Sequence, residues 1–173
     1  RPAILWNDGR AFAQCQQLQQ QVPQLQQLTG NLAMPGFTAP KLLWLHQNEP
    51  EHFARVAKVL LPKDYLRFCL SGDFASDLSD SAGTLWLDMA KRDWSDALLQ
   101  ACGLQRGQMP QLYEGNQITG TLLPTLAQRW GMAEVPLVAG GGDNAAGAVG
   151  AGIVRAGQAM LSLGTSGVYF AVS

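Results

Sequence analysis

One segment constrains this chain more than any other: Val135-Pro-Leu-Val-Ala-Gly-Gly-Gly-Asp-Asn-Ala-Ala-Gly-Ala-Val149. The apolar run from Val135 to Ala139 reads as a buried strand. It breaks into three glycines and presents a single carboxylate, Asp143, after which small residues predict a helix from Asn144 to about Ala151. Further on, Met160-Leu-Ser-Leu-Gly-Thr-Ser-Gly-Val-Tyr-Phe170 reads as a hairpin, two apolar runs joined by Gly164-Thr165-Ser166-Gly167. A strand that turns into a helix over glycines places Asp143 at the carboxyl end of a strand, where ligands of α/β sheets bind.

Each piece has two readings. Asp143 either takes a proton or caps the helix by accepting backbone N–H bonds. The Gly-Thr-Ser-Gly turn either offers hydroxyls and amides to phosphate oxygens or is an ordinary hairpin using glycine for positive φ. Together, an acid and such a turn suit a site where a hydroxyl is deprotonated beside a phosphate. The glycine run loosely echoes the Gly-x-Gly-x-x-Gly of dinucleotide folds, but Asp143 would repel the pyrophosphate expected there. The phosphate loop ending in Gly-Lys-Ser/Thr is absent from the sequence.

Composition sets the limits. With 173 residues, 47% hydrophobic and 14% charged, the chain can bury a sizeable core and falls outside the disordered class. A net charge of −1 gives no footing for nucleic acid or an anionic membrane surface. No apolar run is long enough for a bilayer, and no signal peptide is visible. Three scattered cysteines, Cys15, Cys69 and Cys102, read as reduced thiols of a cytoplasmic protein, without a disulfide framework or a metal site. The opening Arg1 and the close at Ser173 within a strand-like run suggest an excised portion of a longer product.

Along the chain, Ala3-Ile-Leu-Trp6 reads as a short strand ending in the turn Asn7-Asp8-Gly9-Arg10. Leu18, Val22, Leu25 and Leu28 make one face of a Gln-rich amphipathic helix, interrupted at Pro23. Gly30 to Pro40 reads as a loop, Lys41 to Gln47 as a helix behind Pro40, and Lys58 to Leu61 as a brief strand or helix end. Pro62 to Leu70 is a helix closed by Ser71-Gly72. Asp73 to Gly83 reads as a polar loop, Leu85 to Leu87 as buried, and Trp94 to Cys102 as a helix stopped by Gly103. Tyr113 to Leu123 looks like β structure, and Leu126 to Trp130 like a helix ended by Gly131. Alternating helices and strands put the chain in the α/β class. His46 and His52 read as ordinary surface residues. Asp64, Asp73, Asp77, Asp80 and Asp88 read as solvated or capping, and Asp8 as a turn residue or an acid lining the same cleft as Asp143.

Several stretches carry a resemblance: Leu5-Trp-Asn-Asp-Gly-Arg10, Gly36-Phe-Thr-Ala-Pro-Lys-Leu-Leu-Trp44, Leu60-Leu-Pro-Lys-Asp-Tyr-Leu66, Ala75-Ser-Asp-Leu-Ser-Asp-Ser-Ala-Gly-Thr84 and Gly140-Gly-Gly-Asp-Asn-Ala-Ala-Gly-Ala-Val149. In this order, the chain resembles the FGGY family of carbohydrate kinases, and its Asp-Asn-Ala-Ala and Leu-Gly-Thr-Ser-Gly forms look most like the xylulokinase branch. The resemblance implies an actin-like, ribonuclease-H-type fold of two domains, here incomplete. Residues 1–154 would belong to the sugar-binding domain and 155–173 would open the ATP-binding one. It implies transfer of the γ-phosphoryl group of ATP, with Mg2+, to a sugar or polyol, the O5 hydroxyl of D-xylulose in that branch; the rivals are another acceptor such as ribulose, gluconate or glycerol, and a non-catalytic actin-like sugar-binding module. By position it assigns Asp143 as base, Asn144 as a sugar-binding neighbour, and Gly164, Thr165 and Ser166 as a phosphate-binding turn. Trp6 and Asp8 fall near the sugar site. The family's first phosphate turn and a Met-His-Gly segment would precede Arg1, and the adenine-binding glycines would follow Ser173, so residues 1–173 alone should not turn over. Without the opening strands, sheet edges of residues 1–173 alone would be unpaired, which raises the expectation of aggregation or a swapped homodimer.

Overall fold

Burial of one apolar stripe organises the N-terminal half. In the computed structural model, which describes residues 2–164 and 167–172, helix α1 (Phe12–Gln21) stops before Pro23 and α2 (Leu25–Thr29) restarts after it. Leu18, Val22 and Leu25 are buried together, and Leu28 packs against the same core. α3 (Thr38–Asn48) begins two residues ahead of Pro40. A proline in the first turn costs nothing there, because that N–H has no helical acceptor. α4 (Pro50–Phe53) and α5 (Pro62–Ser71) each open on a proline, and α5 closes on Gly72 at φ 82°, the left-handed close that glycine makes cheaply.

Those helices cover a core around Trp86, which is fully buried and donates its indole N–H to the Cys102 sulfur at 3.3 Å. Leu85, Trp94, Leu98, Leu99, Leu104 and Met109 complete it. The strands are short. β1 (Ala75–Asp77) runs parallel to β4 (Gln111–Tyr113), while β2 (Leu87–Asp88) turns back on β3 (Asp93–Trp94). α6 (Leu78–Ser81) follows β1 directly, and α7 (Asp96–Ala101) follows β3. β5 (Ile118–Thr121) pairs antiparallel with β6 (Pro136–Val138) across α8 (Pro124–Trp130). α9 (Asp143–Gly150) comes next, and β7 (Ala159–Leu163) with β8 (Gly167–Ala171) forms a hairpin. The chain is α/β as its pattern of elements suggests.

Four expectations are corrected. Ala3 to Trp6 forms no strand; its backbone lies against Gly36, where a Cβ would meet the Trp6 carbonyl at 2.7 Å. Lys58 to Leu61 belongs to neither a helix nor a strand. Residues 73–83 are not a polar loop, because they hold β1 and α6, and β1 is buried throughout. β6 is not a buried strand: Pro136 and Val138 face outward, Val138 at 49% exposure, and only the following Ala139 is enclosed.

Candidate active site

The turn from β6 into α9 is pinned from two sides. The Gly140 N–H donates to the Gly115 carbonyl at 3.0 Å, and the Ala139 N–H donates to the Gln117 carbonyl at 3.0 Å. Gly140 sits at φ 89°, a conformation that side chains resist. A Cβ at Gly115 would run into the carbonyl oxygen of Gly140. Glycine is therefore required on both strands of this contact. Two residues on, the Gly142 N–H donates to the Ser79 hydroxyl at 3.0 Å.

Asp143 is the first residue of α9, behind Gly142 as cap residue. Its Oδ1 accepts the backbone N–H of Asn144 at 2.7 Å and the Asn144 side-chain amide at 3.1 Å. The other carboxylate oxygen has no protein partner among the described residues, and the side chain is exposed. One oxygen thus satisfies a helix-end amide, while the second stands without a protein partner among the described residues.

Beneath the turn lies a buried charge cluster that the sequence did not disclose. The Lys63 ammonium, on α5, contacts Asp64 at 2.6 Å, Asp77 at 2.7 Å and Asp80 at 3.6 Å. Asp77 caps α6, accepting the N–H groups of Ser79 at 2.8 Å and Asp80 at 3.2 Å on Oδ2, which also takes the Ser79 hydroxyl proton. Asp64 and Asp77 are each 1% exposed, so the expectation of solvated carboxylates fails for both; capping is correct for Asp77. Burial opposes the charge on Lys63, yet its hydrogen bonds to Asp64 and Asp77 prevail and raise its pKa. For Asp77, burial pushes the carboxyl up, but the hydrogen bonds from Lys63 and Ser79 hold it below the ordinary range. Asp80 is raised by burial, with Lys63 opposing and the Asp77 and Asp64 charges reinforcing. A cleft of about 220 Å3 opens beside the cluster, between Asp77, Ser79, Met89, Arg92 and Glu114.

The remaining predicted residues are more scattered. Asp8 closes on its own turn, ion-paired to Arg10 at 2.7 Å. Hydrogen bonds from Arg10 hold its carboxyl below the usual range, and the Arg10 guanidinium lies 5.0 Å from the Trp44 ring. Trp6 is 73% exposed. Neither is hydrogen-bonded to Asp143 or Asn144. Gly164 ends β7 in an exposed bend, while Thr165 and Ser166 lie outside the described residues. Among the described residues, no group of three or more His, Cys, Asp or Glu is arranged to hold a metal ion; Asp64, Asp77 and Asp80 converge on Lys63 instead. No helix among them is long and apolar enough to cross a membrane.

Residues 1–150 match the model of the "FGGY family of carbohydrate kinases, N-terminal domain". The chain is 70% identical over 173 residues to the xylulose kinase of Escherichia coli (strain K12), covering 100% of this chain and 36% of that protein. It is 64% identical to the xylulose kinase of Klebsiella pneumoniae over the same shares of both. The fold superposes on a crystal structure titled as a "xyloylose kinase" from Brucella ovis with a TM-score of 0.95 at 54% identity, over 99% of this chain and 35% of that one. The chain therefore spans about a third of the length of the relatives it matches. Its mixed α/β structure is part of the actin-like ATPase architecture, and the chain belongs to the FGGY family of carbohydrate kinases.

Proposed function

We propose that the polypeptide carrying residues 1–173 transfers the γ-phosphoryl group of ATP to D-xylulose, giving D-xylulose 5-phosphate and ADP, with Asp143 as base. The observation that carries this reading is the Asp143 carboxylate at the head of α9, anchored through Oδ1 and open at its second oxygen. The 70% identity to a xylulose kinase supports the choice of sugar.

In this reading the open oxygen accepts the proton of the attacking hydroxyl as its oxygen bonds to the γ-phosphorus. The bond from that phosphorus to the bridging oxygen breaks and ADP departs. Such transfers need positioning and charge neutralisation more than covalent help. The Asn144 amide retains a second N–H and its carbonyl for sugar hydroxyls, and Trp6 and Asp8 contribute to the sugar side. Gly164, Thr165 and Ser166 contribute to phosphate binding, magnesium enters with the nucleotide as part of the substrate, and xylose breakdown in the cytoplasm is the setting. Residues 1–154 then belong to the sugar-binding domain and 155–173 open the nucleotide-binding one.

The test is ADP release by that polypeptide with D-xylulose, D-ribulose, L-ribulose, gluconate and glycerol. A clear D-xylulose preference is expected. A preference for another acceptor overturns the sugar assignment, and release indifferent to every acceptor overturns the kinase reading.

A further inference from the structure

Ser79 lies 63 positions before Gly142 in the chain, yet its hydroxyl is the partner of the Gly142 N–H at 3.0 Å. A hydroxyl has one proton, and this one is committed to Asp77 Oδ2. A lone pair must therefore face Gly142, so the direction of the bond is determined. Asp77 is itself immobilised: its other oxygen meets Lys63 at 2.7 Å, and Lys63 is held by Asp64 at 2.6 Å. All of this lies at the junction of α5, β1 and α6. The glycines let the turn come down onto it. A Cβ on Gly141 would sit 3.5 Å from the Ser79 hydroxyl, and one on Gly142 would sit 3.3 Å from the Asp80 Cα.

Gly142 has no side chain with which to cap α9, and it immediately precedes Asp143. We propose that Ser79 is a positioning residue for phosphoryl transfer: it touches no substrate, but fixes the Gly142 amide and so the direction in which α9 presents the Asp143 carboxylate. The proposal rests on the reading of Asp143 as base. Asp77, Lys63 and Asp64 serve it by fixing the rotamer of Ser79. Misplacing a reacting group by about 1 Å can lower a rate about a hundredfold, so the loss of this one anchor should be visible in kcat.

The experiment compares Ser79→Ala, Ser79→Thr and Ser79→Cys with the parent, each also on an Asp143→Asn background, following sugar-dependent ADP release and the thermal midpoint. Ser79→Ala is expected to lower kcat about ten- to a hundredfold while KM for ATP stays within about twofold. Ser79→Thr, which keeps the hydroxyl, should recover most of the rate. On the Asp143→Asn background the same substitution should cost little more, because it acts through that carboxylate. If Ser79→Ala fails to fold, Ser79→Cys keeps the volume with a poor acceptor, and its kcat should fall alike. A kcat within about twofold of the parent for a folded Ser79→Ala or Ser79→Cys overturns the proposal. So does a full additional loss on the Asp143→Asn background. Full activity of Asp143→Asn alone would instead remove the base assignment, which separates the two failures.

Discussion

Asp77 has one exposed per cent of its surface and four donors around it, and its chemistry sets the pH behaviour of the site region. Its carboxyl lies below the ordinary value of 3.8 in the folded chain. Ionised Asp77 therefore contributes stability in full above 3.8, and that contribution disappears as pH falls through the lowered folded value. Asp77→Asn should cost about 2 kcal/mol at pH 7, the scale of hydrogen bonds to a charged group. The gap to the parent should narrow as pH falls below 3.8, as read by urea unfolding at several pH values; a gap that stays constant as pH falls below 3.8 contradicts it. Asp80 has the opposite sign. Its raised pKa means that deprotonation works against folding, so Asp80→Asn should be stabilising at neutral pH. The thiols divide as clearly. Burial pushes the Cys102 thiol up to about 12 and Cys15 is enclosed, whereas Cys69 is exposed. Alkylation of the native protein followed by peptide mapping should label Cys69 and spare the other two; early labelling of Cys102 would contradict the packing around Trp86.

At the scale of elements, the sequence was legible wherever backbone chemistry punctuates it. Pro62 marks the start of α5, left-handed glycines at 72 and 131 mark the ends of α5 and α8, and the leucine stripe of α1 and α2 gives their buried face; α8 itself starts at Pro124, two residues before the expected Leu126. β1 escaped because its residues, Ala75, Ser76 and Asp77, are small or polar, yet all are buried; the polarity is satisfied by capping and ion pairing rather than by water. Trp6 and its neighbours read as a strand on apolar content alone, but no described strand pairs with them. The site was half legible. Asp143 and its glycines stood out, whereas Lys63, Asp77 and Ser79 are ordinary letters until folding joins three separate elements. The contact of Gly115 with Gly140 is a test at this scale. Gly115→Ala must displace the turn at its carbonyl, so it should lower kcat at least about tenfold and lower the thermal midpoint as well. A variant with unchanged kcat would show that the turn tolerates the shift.

On the scale of the whole molecule, the core of the described residues lies around Trp86, and the catalytic candidate opens α9 on a turn held by Gly115, Gln117 and Ser79. In the hairpin of β7 and β8, Leu161, Leu163 and Tyr169 are exposed. The central claim is that Asp143 accepts the hydroxyl proton. Its most direct test is steady-state ADP release with D-xylulose by the polypeptide carrying Asp143→Asn, alongside its thermal midpoint. The account predicts an unchanged midpoint, KM within a fewfold of the parent and kcat reduced about 100- to 10,000-fold, the range of general-base catalysis. A folded Asp143→Asn variant that releases ADP at the parental rate would contradict it.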